Sequence, residues 1–197
     1  KIEKTIDMEE VTAVSGVRRA GKTFIMYEMI KKHGGTYINF EDERLMDFSL
    51  SDFEKLHSIA LEDKSQFLFL DEVQVIRGWE KFAARAQKRI KLFVSGSNST
   101  FLGSEFSSAL TGRTMTFRAY PLSFGEFLFF RDSRAKSKDE LRAEAESYLD
   151  LGGFPRIVLT KNKGLIHEYF NRIIYRDVIP RFDVKKPDSI YRLAVYL

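Results

Sequence analysis

The chain of 197 residues contains no cysteine, and this is the first constraint it sets. Disulfides are excluded, and so are metal centres built on thiolates. Histidine is nearly as scarce: His33, His57 and His167 are scattered, which gives a zinc site no basis. No apolar run approaches the roughly 20 residues a membrane-spanning helix needs. Residues 1–10 are charged throughout, so no secretory leader is legible and a cytoplasmic setting without membrane contact is expected. There is no internal repeat, and no N-K-x-D element of the kind that reads guanine. Charge of one sign is only mildly in excess. A formal +4 and an isoelectric point near 9.2 permit contact with nucleic acid without requiring it.

What is present is a core and a loop. Hydrophobic residues make up 44% and aromatics 14%, 18 of the aromatics being Phe, which suffices for one full α/β domain and the start of a second. The loop is Gly16-Val17-Arg18-Arg19-Ala20-Gly21-Lys22-Thr23, of the form G-x-x-x-x-G-K-[ST]. The apolar run Val11-Thr12-Ala13-Val14 reads as a buried strand leading in. The segment Phe24 to Ile30 reads as a helix leading out. Strand, glycine loop and helix together aim backbone N–H groups and a helix N-terminus at one anion. The glycines let the backbone curl where a Cβ would clash. Lys22 supplies a point charge for the β- and γ-phosphates, and the Thr23 hydroxyl a ligand for Mg²⁺. Residues 16–24 are therefore the expected nucleotide-binding segment; Arg18 and Arg19 either reach a phosphate or face solvent.

A second element follows. Phe67-Leu68-Phe69-Leu70 is an unbroken apolar run ending in Asp71-Glu72, which is a Walker B pattern. Asp71 is expected to hold Mg²⁺ through water, and Glu72 to orient and deprotonate the attacking water. Leu92 to Ser95 reads as a further buried strand, ending in Gly96-Ser97-Asn98-Ser99. Ser97 or Asn98 there is either a sensor of the γ-phosphate or a plain turn residue. Arg113, within Leu110-Thr111-Gly112-Arg113, is the candidate cation for the γ-phosphate, in its own subunit or a neighbour's; the alternative is a surface arginine. Glu41-Asp42-Glu43 closes a strand Thr36 to Phe40 and reads mainly as a solvated loop. Lys81, Arg85, Lys88, Arg89 and Lys91 are either a stripe for phosphate backbones or the wet side of the helix Trp79 to Lys88.

The remaining pattern alternates strands and helices, as a parallel three-layer sheet requires. Ser51 to Leu61 is expected as a helix with Ser51 as N-cap and Glu54 completing a capping box. Thr114 to Arg118 is the last strand. Arg131 to Arg142 is polar enough to be an exposed loop or the start of a surface helix. The expected fold is an α/β P-loop NTPase core, α/β/α in three layers, over residues 1–120. A connecting region follows at 121–152, then a small helical lid from 153. Both ends read as cut: Ile190 to Leu197 is an amphipathic helix with no capping signal.

Taken in order, these motifs resemble the archaeal and bacterial AAA-type ATPases of the STAND group. Phe69-Leu70-Asp71-Glu72-Val73-Gln74 with Gly78-Trp79-Glu80, Pro121 to Phe127, and Gly153-Phe154-Pro155 extend the likeness over about residues 11–184. The resemblance implies Mg²⁺ and ATP as ligands, Ser97 as a sensor, and Pro155 as a contact near the adenine. It also implies that Tyr175 to Phe182 leads toward a winged-helix domain not contained in this chain. The implied activity is a switch or motor that hydrolyses ATP slowly to ADP and phosphate. A grip on double-stranded DNA controlled by nucleotide state, a protein effector, and nucleotide-driven assembly of a homo-oligomer are the other roles it allows.

Overall fold

The computed structural model describes residues 2–97, 110 and 112–196. They form two compact units, one holding residues up to Gly16 and from Gly21 to Ala119, the other Val17–Ala20 and the chain from Tyr120 onward. Among the described residues no helix is long and apolar enough to cross a membrane.

Among the described residues the first unit is built on a five-stranded sheet, parallel throughout. Its strands are β1 (Val11–Ser15), β2 (Thr36–Asn39), β3 (Phe67–Asp71), β4 (Lys91–Gly96) and β5 (Thr114–Arg118), in the order β2-β3-β4-β1-β5. Parallel neighbours need long crossovers, and helices α1 (Lys22–His33), α2 (Asp52–Glu62) and α3 (Trp79–Ala86) supply three of these. Strand periodicity sends alternate side chains to opposite faces. Leu68, Leu70, Leu92 and Val94 pack with Phe53 of α2 and Trp79 and Phe82 of α3. Phe67, Phe69 and Phe93 pack with Met26 and Met29 of α1. The phenylalanine-rich strands thus fill two cores at once, and the three-layer α/β/α arrangement follows. The pairs Phe53–Phe82 and Phe69–Phe93 are stacked at 4.5 and 4.8 Å between ring centroids.

The strand order places the ligand edge. From β1 the chain crosses to β2 on one side, and from β4 it crosses to β5 on the other. The C-terminal ends of β1 and β4 therefore flank a switch point, where sheets of this kind bind ligands.

Three local expectations are corrected in this unit. Ser51 makes no side-chain cap on α2, because its own backbone is already helical (φ −68°, ψ −26°). Asp52 instead accepts from the Ser49 amide and hydroxyl at 3.0 and 2.6 Å. Glu54, free of a capping role, pairs with Arg85 across the surface. Lys91 does not join a basic stripe: it is buried, with its ammonium donating to the carbonyl oxygens of Met8 (2.9 Å) and Glu10.

The second unit is helical, with helices at Phe124–Phe130, Lys138–Leu151, Pro155–Thr160, Gly164–Arg172 and Pro187–Tyr196. Phe127, Leu151, Ile157, Val158 and Tyr169 form its core. Residues 121–152, expected as a connecting region, share that core. Two capping boxes, Ser123 with Glu126 and Ser137 with Glu140, start its first two helices. The second of them resolves the polar stretch 131–142 into a turn followed by a helix. Beyond Arg172 the chain continues through a π-helical segment, Ile173–Val178, into Ile179–Arg181.

Candidate functional site

Gly16 leaves β1 at φ 155°, and a Cβ there would lie 2.1 Å from the Ala119 carbonyl oxygen. Glycine is thus required by space as well as by conformation. Gly21 caps α1 in the left-handed region (φ 100°) and turns the first helical amides toward the loop. Immediately after it, Lys22 is buried to 4% exposure, although lysine is among the residues least often found inside. Its Nζ donates to the Gly16 carbonyl at 3.1 Å and lies 3.3 Å from Glu72 Oε1.

The C-terminal ends of β3 and β4 bring the acids to the same place. Asp71 is fully buried, and hydroxyl groups supply its side-chain hydrogen bonds among the described residues. Thr23 Oγ1 donates to Oδ2 at 2.7 Å, Tyr37 donates to the same oxygen at 2.9 Å, and Ser95 donates to Oδ1. This donor set fits a hard cation: Thr23 gives its proton to Asp71 and keeps its lone pairs, while the carboxylate, already accepting from three hydroxyls, would reach a cation through water. Burial is the main cause that raises the Tyr37 phenol well above its ordinary range, followed by its bond to Tyr27 and the Asp71 charge.

Glu72 takes a left-handed backbone (φ 51°, ψ 41°), rare for a residue with a side chain. Its Oε2 accepts from the Ser97 amide at 3.1 Å and from Gln74 Nε2 at 2.6 Å. Ser97 Oγ and Gln74 Oε1 are buried with no hydrogen-bond partner among the described residues. Two polar atoms with unused capacity thus lie beside a carboxylate that is itself fully engaged, which suits a site that takes a polar ligand.

The structure accordingly brings together Gly16, Gly21, Lys22, Thr23, Asp71, Glu72 and Ser97. Phe24, in the first turn of α1, is 63% exposed. The loop tip Val17–Ala20 groups with the second unit. There Arg18 Nε bonds Asp177 Oδ1 at 3.0 Å, and the Arg19 guanidinium lies 5.4 Å from the Tyr169 ring centroid. Arg19 holds φ 69°, and Ala20 is buried. Pro155 opens the helix Pro155–Thr160 of the second unit at its first position. Asn98 and Thr111 lie outside the described residues.

Arg113 is not brought to this edge. It is exposed and precedes β5, and its carbonyl accepts from Val11 N–H at the start of β1. The phosphate loop leaves the other end of β1, five residues along, about 16 Å away at strand rise. The acidic run after β2 is a local structure: Asp42 caps a turn of 3-10 helix and pairs with Arg44, which holds its carboxyl down to about 2.

Tyr37, Ser95 and Gln74 are the site residues that sequence reasoning did not single out. Gln74 and Ser95 lie in stretches that carry the family likeness, without a role of their own there, and Tyr37 reads as an ordinary strand residue. Only the register Asn39↔Asp71 and Leu70↔Val94 carries them to the acids.

A family model described as an AAA domain matches residues 8–128. The uncharacterized protein MJ1544 of Methanocaldococcus jannaschii is 36% identical over 96% of this chain and 46% of its own length. An uncharacterized protein of Haemophilus influenzae is 30% identical over 97% of this chain and 52% of its own. The chain thus spans about half the length of these relatives. Among solved structures, the Walker-type ATPase PABY2304 of Pyrococcus abyssi aligns with a TM-score of 0.54 and 15% identity, over 98% of this chain and 74% of that one. A katanin structure aligns at 0.50 and 12%, over 87% and 59%. At such identities the two structures speak for the fold alone.

Proposed function

The chain belongs to the family of AAA domains, a nucleotide-binding P-loop ATPase family, and from that premise we propose that it hydrolyses Mg²⁺-bound ATP as a molecular switch. The observation that carries the reading is the buried pair of Lys22 and Glu72 behind the glycine loop. A buried ion pair is a poor source of stability, because desolvation offsets its attraction. A role in chemistry accounts for keeping it.

Phosphate oxygens at the loop compete with Glu72 for Lys22. As Lys22 turns to them, Glu72 Oε1 is released while Ser97 N–H and Gln74 keep Oε2 in place. The carboxylate is then a positioned base that can take a proton on Oε1. Water attacks the γ-phosphorus, the bond to the β–γ bridging oxygen breaks, and Glu72 takes the proton; ADP and phosphate leave. Thr23, with Asp71 behind it, would hold Mg²⁺, which neutralises charge on the β- and γ-oxygens. Lys22 and the unused Ser97 hydroxyl contact a γ-phosphate that ADP lacks. That difference in contacts is what a switch needs.

Within the family we read the chain as STAND-like, from the order of its motifs through Gly153-Phe154-Pro155. Its cysteine-free composition suits the cytoplasm. Arg113 sits at the far edge of the sheet, which favours a neighbouring subunit's nucleotide over its own as the γ-phosphate it would meet. Duplex DNA is the regulator to assay first, given the net charge of +4.

The test is Mg²⁺-dependent ATP turnover with and without duplex DNA, beside Glu72→Gln. We expect the variant to bind ATP within about threefold of wild type and to lose 10²–10⁴-fold in turnover, the range of general-base catalysis. Equal turnover in the variant would remove Glu72 from the mechanism.

A further inference from the structure

We infer that Ser95 is a positioning residue for both Walker B acids, its hydroxyl setting the cation carboxylate and the catalytic base at once. The inference rests on the hydrolytic reading above for its catalytic half, and on geometry alone for its cation half.

Ser95 lies inside β4, fully buried, two residues before Ser97. A hydroxyl has one proton and two lone pairs. Here the proton goes to Asp71 Oδ1, and a lone pair accepts the Glu72 amide at 3.1 Å. The direction of the chain is fixed, because a carboxylate only accepts and an amide only donates: Glu72 N–H to Ser95 O–H to Asp71. Linked bonds of this kind polarise and strengthen one another.

The consequence for Glu72 is conformational. Strand β3 ends at Asp71, and the next residue turns into the left-handed region, which a side-chain-bearing residue adopts only under constraint. The amide tied to Ser95 Oγ is one such constraint, and it lies on the backbone atom that the turn reorients. The carboxylate bonds to Ser97 N–H and Gln74 Nε2 complete the hold. The consequence for Asp71 concerns its lone pairs. With Oδ1 turned to Ser95, Oδ2 is the oxygen that accepts the Thr23 proton, which aims the Thr23 lone pairs that a cation would use. Neither effect requires Ser95 to touch nucleotide, so it is not itself a catalytic residue.

The test compares wild type, Ser95→Ala and Ser95→Thr, each shown folded by thermal melting. Two readouts are taken. The first is Mn²⁺ affinity of the complex with a non-hydrolysable ATP analogue, by electron paramagnetic resonance, which needs no turnover. The second is kcat and KM for ATP. Ser95→Ala is expected to lose about tenfold in Mn²⁺ affinity, the scale of outer-shell effects on bound metals. It should also lose about 10²-fold in kcat with little change in KM, as a displaced catalytic group does. Ser95→Thr, which keeps the hydroxyl, should stay near wild type in both. Wild-type Mn²⁺ affinity in Ser95→Ala overturns the proposal whether or not the chain turns over ATP. Equal losses in Ser95→Thr and Ser95→Ala overturn it too, because packing and not the hydroxyl would then be responsible. Absence of turnover in wild type sinks the hydrolytic reading, while the Mn²⁺ comparison still decides the case of Ser95.

Discussion

The two edges of the parallel sheet both bury charge, and they do so in opposite ways. At the N-terminal edge Lys91 is closed off: its ammonium is held by two backbone carbonyls, and Thr12 bonds Thr5 at 2.7 Å nearby. At the C-terminal edge Lys22 and Glu72 pair with each other and Asp71 is held by hydroxyls, so that beside the Gly16 carbonyl and the Ser97 amide most partners are side chains able to change partner. The Met8 and Glu10 carbonyls are fixed by the backbone that leads into β1, whereas side-chain partners can be exchanged at small cost. Buried charge of the first kind is locked into the fold, whereas the second kind leaves partners that a ligand could replace.

The strongest break of this comparison is Lys22→Ala. It removes the exchangeable cation, and nucleotide affinity measured calorimetrically should fall by 10²-fold or more, about 2.7 kcal/mol or above. Unchanged affinity would end the nucleotide reading. Next is Tyr37→Phe, which takes one of the two hydroxyl donors from Asp71 Oδ2 without emptying space. The Mg²⁺ concentration needed for half-maximal turnover should shift by about tenfold; no shift would make the phenol a packing residue only.

At the other edge the effect is on stability and its pH dependence. Burial pushes the Lys91 ammonium down to about 8, against a weaker opposing pull from Glu10. In the unfolded chain a lysine keeps its proton to about 10.4. Between about pH 8 and 10.4 the unfolded state binds more protons, so this residue makes stability rise with pH. The melting temperature of Lys91→Met minus that of wild type should therefore fall across that window; a flat difference would refute the depressed value. The smallest effect belongs to Arg113→Ala. At concentrations where the chain is monomeric its turnover should stay within about twofold of wild type. A loss that appears only as subunits associate would mark the residue as acting on a neighbour.

Much of the site was legible because its motifs are local. Gly16, Gly21, Lys22 and Thr23 lie within eight residues of one another, and Asp71 and Glu72 end an apolar run whose burial is plain from composition. Helix starts were read less well. Ser51 and Glu54 have the spacing of a capping box and do not form one, while Ser123 with Glu126 and Ser137 with Glu140 do. Spacing is necessary for that motif, but the backbone of the first residue decides it. Lys91 reads with its basic neighbours in sequence, yet the strand it opens is buried on both faces.

The sequence by itself determined the alternation of strands and helices, the phosphate loop and the acidic strand end, because each depends on contacts a few residues apart. Which strands lie side by side is a matter of long-range packing, and the tertiary structure decided it. That register carried Ser95 and Tyr37 to Asp71, and the common direction of the strands carried Arg113 to the far edge. No local pattern distinguishes a strand serine that holds a carboxylate from one that merely fills a core.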